Sequence, residues 1–256
     1  MRLRSISGWD SFRTENLANW IEITGAWTSR QLPHVADLRD WIQDEASLRF
    51  SAHTRPLRIV DVGCGNGWVL DTLRSTDQRF SYTGVDFNPA LIGWLRETYD
   101  DEPRADFIKA DLETGAFRGV DLRADWVISI FSLFECRNLS AAVTFCASVL
   151  AADGIMSVAS INPVTQILAI SDDADQLREN LSLYERLGAD AGYKKRIEFQ
   201  NGVGQETYMG ILYSVADYTR VAREQGFFLD GLEEMNRCGA VVPQIYELMR
   251  FERSAE

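Results

Sequence analysis

A chain of 256 residues, 46% hydrophobic and 25% charged, can bury one large core and lies outside the low-hydrophobicity, high-charge regime of disordered chains. Acidic residues outnumber Lys and Arg by 38 to 26, a formal charge of -12, so little positive charge is on hand to neutralise phosphates and a nucleic-acid partner is disfavoured. Cys64, Cys136, Cys146 and Cys238 are scattered without a CxxC pair, and no apolar run approaches the ~18 residues of a membrane span, so a cytoplasmic protein without a zinc site or disulfide framework is expected.

From about Trp9 to Phe50 apolar residues recur at helical spacing, first Leu17, Trp20 and Ile21, then Val35, Leu38, Trp41 and Ile42. Thr24-Gly25 and Pro33 interrupt them, so an N-terminal helical segment broken by turns is expected. The polar stretch from Ser51 to Pro56 reads as a linker. Strands are expected next at Leu57 to Val62, Tyr82 to Val85, Ala105 to Ile108, Trp126 to Ile130 and Gly154 to Ala159, with helical windows at Val69 to Leu73, Leu91 to Leu95 and Leu139 to Leu150. Short, doubly apolar strands alternating with helices imply an α/β fold with a mostly parallel sheet covered on both faces.

Beyond Pro163 the alternation lapses into a helix from Asp173 to Leu187 and strands around Tyr193 to Phe199 and Glu206 to Leu212, expected as an insertion over the site. It resumes with a helix from Val215 to Gln225 stopped by Gly226, and strands at Phe227 to Leu232 and Ile245 to Phe251. The expected organisation is a helical cap segment at 1–55, a core at 56–163 and 208–256, and a lid insertion at 164–207. The short basic run Lys194-Lys195-Arg196 reads as a solvated strand end or loop.

The densest signal is Ile59-Val60-Asp61-Val62-Gly63-Cys64-Gly65-Asn66-Gly67, a buried strand entering three alternating glycines and then a helical window near Trp68. Glycine permits a tight turn and close backbone approach, and a helix N-terminus offers free N–H groups, so a cofactor belongs at this strand's carboxyl end. A bare strand-to-helix turn would need one glycine rather than three. The dinucleotide fingerprint is GxGxxG or GxGxxA; here the third glycine follows the second by two residues and Trp68 stands in its place, which weakens a nicotinamide reading. Asp86 closes the next strand, where a carboxylate can accept both ribose hydroxyls of a nucleoside; taken alone it is equally a helix-initiating cap before Pro89.

The glycine stretch resembles motif I of the class I S-adenosylmethionine-dependent methyltransferases of small-molecule type, an acidic residue followed by GxGxG. The resemblance covers most of Pro56 to Arg253 apart from the insertion, and implies a Rossmann-like seven-stranded sheet with S-adenosyl-L-methionine as cofactor and S-adenosyl-L-homocysteine as product. Carried over, Gly63, Cys64, Gly65 and Gly67 would line the methionine moiety, Asp61 would hold its amino group directly or through water, and Asp86 the ribose, with Phe87 on the adenine face. Ala105 to Leu112 resembles the strand ending in an acid that accepts from the adenine amino group, here Asp111 beside Leu112.

Asp125 to Glu135 resembles the strand that leaves the sheet beside the sulfonium, bringing Ser129 to the cofactor. It lacks the Asn-Pro-Pro-aromatic turn of DNA and protein N-methyltransferases. Many small-molecule members place a histidine about where Glu135 falls, so Glu135 is a candidate general base for a hydroxyl or counter-charge for an amine; equally, it caps the following loop or pairs with Arg137. His34 and His53 lie in no motif and read as surface residues. No cluster has metal-ligand spacing.

The expected activity is in-line methyl transfer to O, N or C of a small, partly apolar metabolite, of secondary metabolism by analogy of fold. Aromatics outside the shared core, Trp9, Phe12, Trp20, Trp27, Tyr184, Tyr193, Phe199, Tyr208 and Tyr213, are mostly packing residues, a minority lining the acceptor pocket. The expected partner is a small-molecule acceptor, with no nucleic acid and no membrane, the chain being a monomer or homodimer. The rival readings are a methyltransferase-like scaffold or cofactor-assisted cyclase that binds the cofactor without methyl transfer, and a nicotinamide oxidoreductase on a similar sheet.

Overall fold

The computed structural model describes residues 1–5, 33–76, 79–114, 122–198, 205–236 and 245–253, and of 33–35, 52, 195–198 and 205–208 the backbone alone. In chain order the elements are β1 (Arg4–Ser5), α1 (Pro33–Ala52), β2 (Leu57–Val62), α2 (Trp68–Arg74), β3 (Phe80–Asp86), α3 (Pro89–Thr98), β4 (Ala105–Lys109) and β5 (Ala124–Ile130). They continue with α4 (Leu139–Val149), β6 (Leu150–Ile161), α5 (Pro163–Ile170), α6 (Ala174–Leu187), β7 (Ala191–Glu198), β8 (Gln205–Ile211), α7 (Val215–Glu224), β9 (Phe227–Asn236) and β10 (Ile245–Arg253).

Seven strands form one sheet in the order β4-β3-β2-β5-β6-β10-β9, with β10 antiparallel to both β6 and β9 and the rest parallel. Every residue of β5 is buried, which is what a central strand covered on both faces requires of its sequence. One face packs Val60, Val62, Val127 and Met249 against α4 and α7; the other packs Ile59, Tyr82, Trp126 and Ile128 against α1, α2 and α3. Helix starts follow local chemistry: Asn88 caps α3 by accepting from Ala90 N, Asn138 caps α4, and Ser214 with Asp217 forms a capping box on α7. Gly226, at φ 79, ends α7 in the left-handed conformation expected of it.

Helix α1 lays Leu38, Trp41, Ile42 and Ala46 on the sheet; a buried ion pair within the helix, Glu45 Oε2 with Arg49 at 2.7 Å, faces the sheet, and Ser157 Oγ on β6 donates to Glu45 Oε2 at 3.3 Å. The Arg49 guanidinium stacks over the Trp126 ring at 4.8 Å, whose Nε1 donates to Ser157 Oγ at 3.0 Å. At the amino edge, Asp125 accepts from both Arg55 and Arg58; against the opposing effect of burial, these guanidinium groups hold its carboxyl well below the ordinary range.

A second, antiparallel sheet β1-β7-β8 lies with α5 and α6 around Leu3, Ile167, Ile170, Ala191, Tyr193 and Leu212. Asn180, fully buried on α6, accepts from Leu3 N at 3.0 Å and donates to Met1 O at 2.9 Å, holding β1 to the insertion. Three features depart from the sequence reading. Residues 1–55 contribute a strand as well as a helix; α5 occupies a stretch for which no element was expected, started by Asn162 at the N-cap and Pro163 at the first turn; and β8, near the strand expected at Glu206 to Leu212, pairs with β7 across position 207. The helix expected before Pro33, and Trp9, Phe12, Trp20, Trp27, Phe199 and Cys238, lie outside the described residues.

Candidate functional site

Chain connections leave β2 toward β3 and β4 on one side and reach β5 and β6 on the other, so the carboxyl edge opens a crevice between β2 and β5, where open α/β sheets take their ligands. The glycine turn stands there. Gly63, Gly65 and Gly67 have φ of 72, 54 and 79, left-handed values that suit residues without a β-carbon. Gly63 N and Cys64 N both donate to Val85 O, at 2.7 and 3.1 Å, which clamps the turn to β3.

Asp86, buried at the end of β3, accepts from Gly65 N through Oδ2 at 3.2 Å and from Asn88 N through Oδ1 at 2.9 Å. Phe87 beside it is half-buried, and Ala110 N donates to Asp86 O at 3.0 Å, which aligns the end of β4 with that of β3. Asp111 is half-buried and accepts from Glu113 N at 3.0 Å, whereas Leu112 belongs to the apolar core. The carboxylates expected to meet ribose and adenine thus sit on neighbouring strand ends, flanking Phe87.

Asp61 sits beneath the turn with 1% of its surface exposed, and its Oδ2 accepts the Tyr82 hydroxyl at 2.6 Å. Burial pushes its carboxyl up to about 7; the Tyr82 bond opposes the rise and the Asp86 charge adds to it. With Oδ2 committed, Oδ1 is the atom that would take an amino group or its water. Cys64 is sealed in the same layer, and burial beside Asp86 and Asp61 pushes its thiol up, away from thiolate chemistry.

The end of β5 holds what the sequence did not reveal. Among the described residues Phe131 is the one non-glycine in the left-handed region, at φ 54, with its N–H on Ala159 O at 3.0 Å and its ring 4.6 Å from that of Tyr246. Such a backbone is held by its surroundings, and it turns the chain so that Ser132 lies over Gly63. Ser132 Oγ donates to Val62 O at 2.6 Å and lies 2.6 Å from Ser129 Oγ. Ser129 itself is fully buried under this pair, so Ser132 is the hydroxyl of the two nearer the turn's outer side. No residue-type signal could have given this, since phenylalanine has no preference for positive φ.

Glu135 ends a one-turn 3-10 helix, Leu133–Glu135, half-buried, its N–H on Ser132 O at 3.0 Å. The Tyr213 hydroxyl donates to Cys136 O and Arg137 O, both at 2.9 Å, binding this loop to the segment before α7. His53 contacts Arg49 O at 2.9 Å and precedes β2, which places it toward the amino edge, away from the crevice. The side chain of His34 lies outside the described residues.

Residues 59–154 match the family model described as a methyltransferase domain. Protein Rv1506c of Mycobacterium tuberculosis (strain ATCC 25618 / H37Rv), named as a methyltransferase, is 28% identical over 127 residues, 49% of this chain and 72% of that one. Among solved structures, the N-methyltransferase NodS from Bradyrhizobium japonicum WM9, in complex with S-adenosyl-l-homocysteine, superposes with a TM-score of 0.60 at 13% identity, covering 94% of this chain and 98% of that one. The [4+2]-cyclase SpnF superposes with a TM-score of 0.56 at 15% identity, covering 87% and 82%. At such identities the likeness speaks for the fold, the Rossmann-like seven-stranded sheet expected from the sequence. No helix among the described residues is long and apolar enough to cross a membrane.

Proposed function

We propose that this chain, whose residues 59–154 match a methyltransferase-domain model, belongs to the class I S-adenosylmethionine-dependent methyltransferases and transfers the methyl group of that cofactor to O, N or C of a small, partly apolar metabolite. The observation that carries the reading is Asp86, whose carboxylate reaches from the end of β3 to the Gly65 N–H of the glycine turn that borders the switch-point crevice. The donor and acceptor set fits the cofactor: two carboxylate oxygens for two ribose hydroxyls, the half-buried Phe87 for a purine face, Asp111 for an amino group, and a glycine backbone that leaves room for the methionine moiety. When bound, the cofactor supplies an electrophilic methyl on a sulfonium and leaves as S-adenosyl-L-homocysteine.

What this chain adds is alignment and exclusion of water. Phe131 and Ser132 close the end of β5 against the glycine turn, and α5, α6, β7 and β8 form the part we assign to covering the acceptor. Glu135 is the proposed base or counter-charge on the β5 loop. With a formal charge of -12, a small-molecule acceptor rather than nucleic acid is the proposed partner, in a cytoplasmic monomer or homodimer.

A second reading, a cofactor-assisted cyclase that transfers no methyl group, draws on the fold shared with the [4+2]-cyclase SpnF across 87% of this chain. Tritium transfer from labelled S-adenosylmethionine to a metabolite extract separates the two: label in an acceptor supports the transferase, and an unlabelled extract with cofactor bound supports the second reading. Absence of calorimetric heat with both S-adenosylmethionine and S-adenosylhomocysteine would remove both.

A further inference from the structure

Strand β10 runs antiparallel to β6, so its first residues lie at the same carboxyl edge as the crevice. Glu247 pairs in register with Ser160, one residue beyond Ala159, whose carbonyl takes the Phe131 N–H where β5 ends. It therefore stands at the level of the β5 loop, two strands across, on the face shared with α7. Although 5% exposed, Glu247 is not paired with a cation there: Oε1 accepts from the neutral amide Asn162 Nδ2 at 2.7 Å, and Oε2 has no hydrogen-bond partner among the described residues.

This arrangement is held from several sides. Asn162 Oδ1 takes Thr165 N at 3.0 Å, its own N–H goes to Ile245 O at 2.9 Å, and Ile245 N donates to Thr165 Oγ1 at 3.1 Å. The amide that grips Oε1 is thus fixed by the start of α5. Ser160 Oγ is engaged with the Tyr218 hydroxyl at 3.0 Å, so it is not spent on Oε2.

The titratable groups whose fields reach Glu247 are Glu234, its register partner on β9, and the phenols of Tyr184 on α6 and Tyr218 on α7, with Asp217 acting on Tyr184 as well. Each is acidic or neutral. Burial, reinforced by Glu234, pushes the Glu247 carboxyl up, against the Asn162 bond. A buried carboxylate oxygen without a donor costs free energy, and a charged donor placed on it recovers more than a neutral one.

We propose that Glu247, through Oε2, anchors an amine on the methyl acceptor, with Asn162 fixing the carboxylate. This assignment rests on the methyltransferase reading and narrows its acceptor class to compounds that carry a basic nitrogen, whichever atom receives the methyl group.

The test uses the full chain saturated with S-adenosylhomocysteine and two probes of equal shape, benzylamine and benzyl alcohol, titrated by calorimetry. Benzylamine is expected to bind at least about tenfold more tightly, and Glu247→Gln to remove that preference while S-adenosylhomocysteine affinity stays within about twofold. Equal affinity for the two probes, binding of neither, or a preference that survives in Glu247→Gln overturns the proposal. Should Glu247→Gln not fold, the wild-type comparison decides alone. Failure of S-adenosylhomocysteine itself to bind is seen before any amine is added and counts against the methyltransferase reading instead.

Discussion

Ser132 stands over Gly63 so closely that a β-carbon built on Gly63 would come within 2.2 Å of Ser132 Cβ. The first glycine of the turn is therefore required twice, once by its φ of 72 and once by the chain that folds back from β5. Gly63→Ala meets both demands, and backbone strain of about 1–3 kcal/mol with overpacking on top should destabilise the fold by roughly 2 kcal/mol or more. Denaturant unfolding measures it. Adding Ser132→Gly should recover the steric part and leave the backbone part, and a Gly63→Ala protein as stable as wild type would contradict this packing.

Asp86→Asn keeps the shape of the side chain and one acceptor oxygen, but removes the charge. Hydrogen bonds to a charged group contribute about 1.5–3 kcal/mol each, so S-adenosylhomocysteine affinity should fall by about 10- to 100-fold, and stability by about 1–3 kcal/mol because the amide nitrogen must face the N–H of either Gly65 or Asn88. Calorimetry beside thermal unfolding separates the two effects. An unchanged affinity would remove Asp86 from the ribose.

The Asp61 carboxyl keeps its proton to about 7 in the folded chain, whereas its ordinary value is 3.8. Between those two values the folded state holds the proton that the unfolded state has released, so stability falls as pH rises through this window and levels off above it. The ceiling is about 1.4 kcal/mol for each pH unit of difference. Unfolding free energies of wild type and Asp61→Asn, measured from pH 4.5 to 8, should diverge across the window, the wild type alone losing this contribution. Parallel curves would mean that Asp61 is ionised throughout.

Glu45 and Arg49 share the interior beneath α1, 4% and 6% exposed. Removing one partner strands a buried charge, so Glu45→Gln should cost about 3–5 kcal/mol, while Glu45→Leu with Arg49→Met should recover most of it. S-adenosylhomocysteine affinity of folded protein should not change, because the pair lies on the sheet face and not at its carboxyl edge. Chemical denaturation of the two variants measures how far the charged pair, beside the packing of Leu38, Trp41 and Ile42, contributes to stability.

Periodicity was enough to locate the seven strands of the main sheet, because a central strand such as β5 must be apolar on both faces and its neighbours nearly so. The short helix α5 escaped because its apolar stripe is brief and its start depends on Asn162 and Pro163, residues that also suit a plain turn. β1 escaped because two residues carry no period, and its pairing with β7 joins positions 4 and 192. At the site, the glycine turn and the place of Asp86 at a strand end follow from the local pattern, whereas Phe87 and Asp111 are marked by the family resemblance alone. Ser132 carries no such mark, because its place over the turn is set by the reversal at Phe131.

The amino-acid sequence by itself determined that a mostly parallel sheet would carry a glycine-rich turn followed by two acidic strand ends, since hydrophobic period and glycine's freedom at positive φ are local properties. Tertiary structure alone decided that burial raises the Asp61 carboxyl to about 7, that Ser132 closes on Gly63, and that Glu247 and Asn162, 85 residues apart, meet at one edge. Burial and the meeting of distant strands set those outcomes, and neither is written in any short stretch of chain.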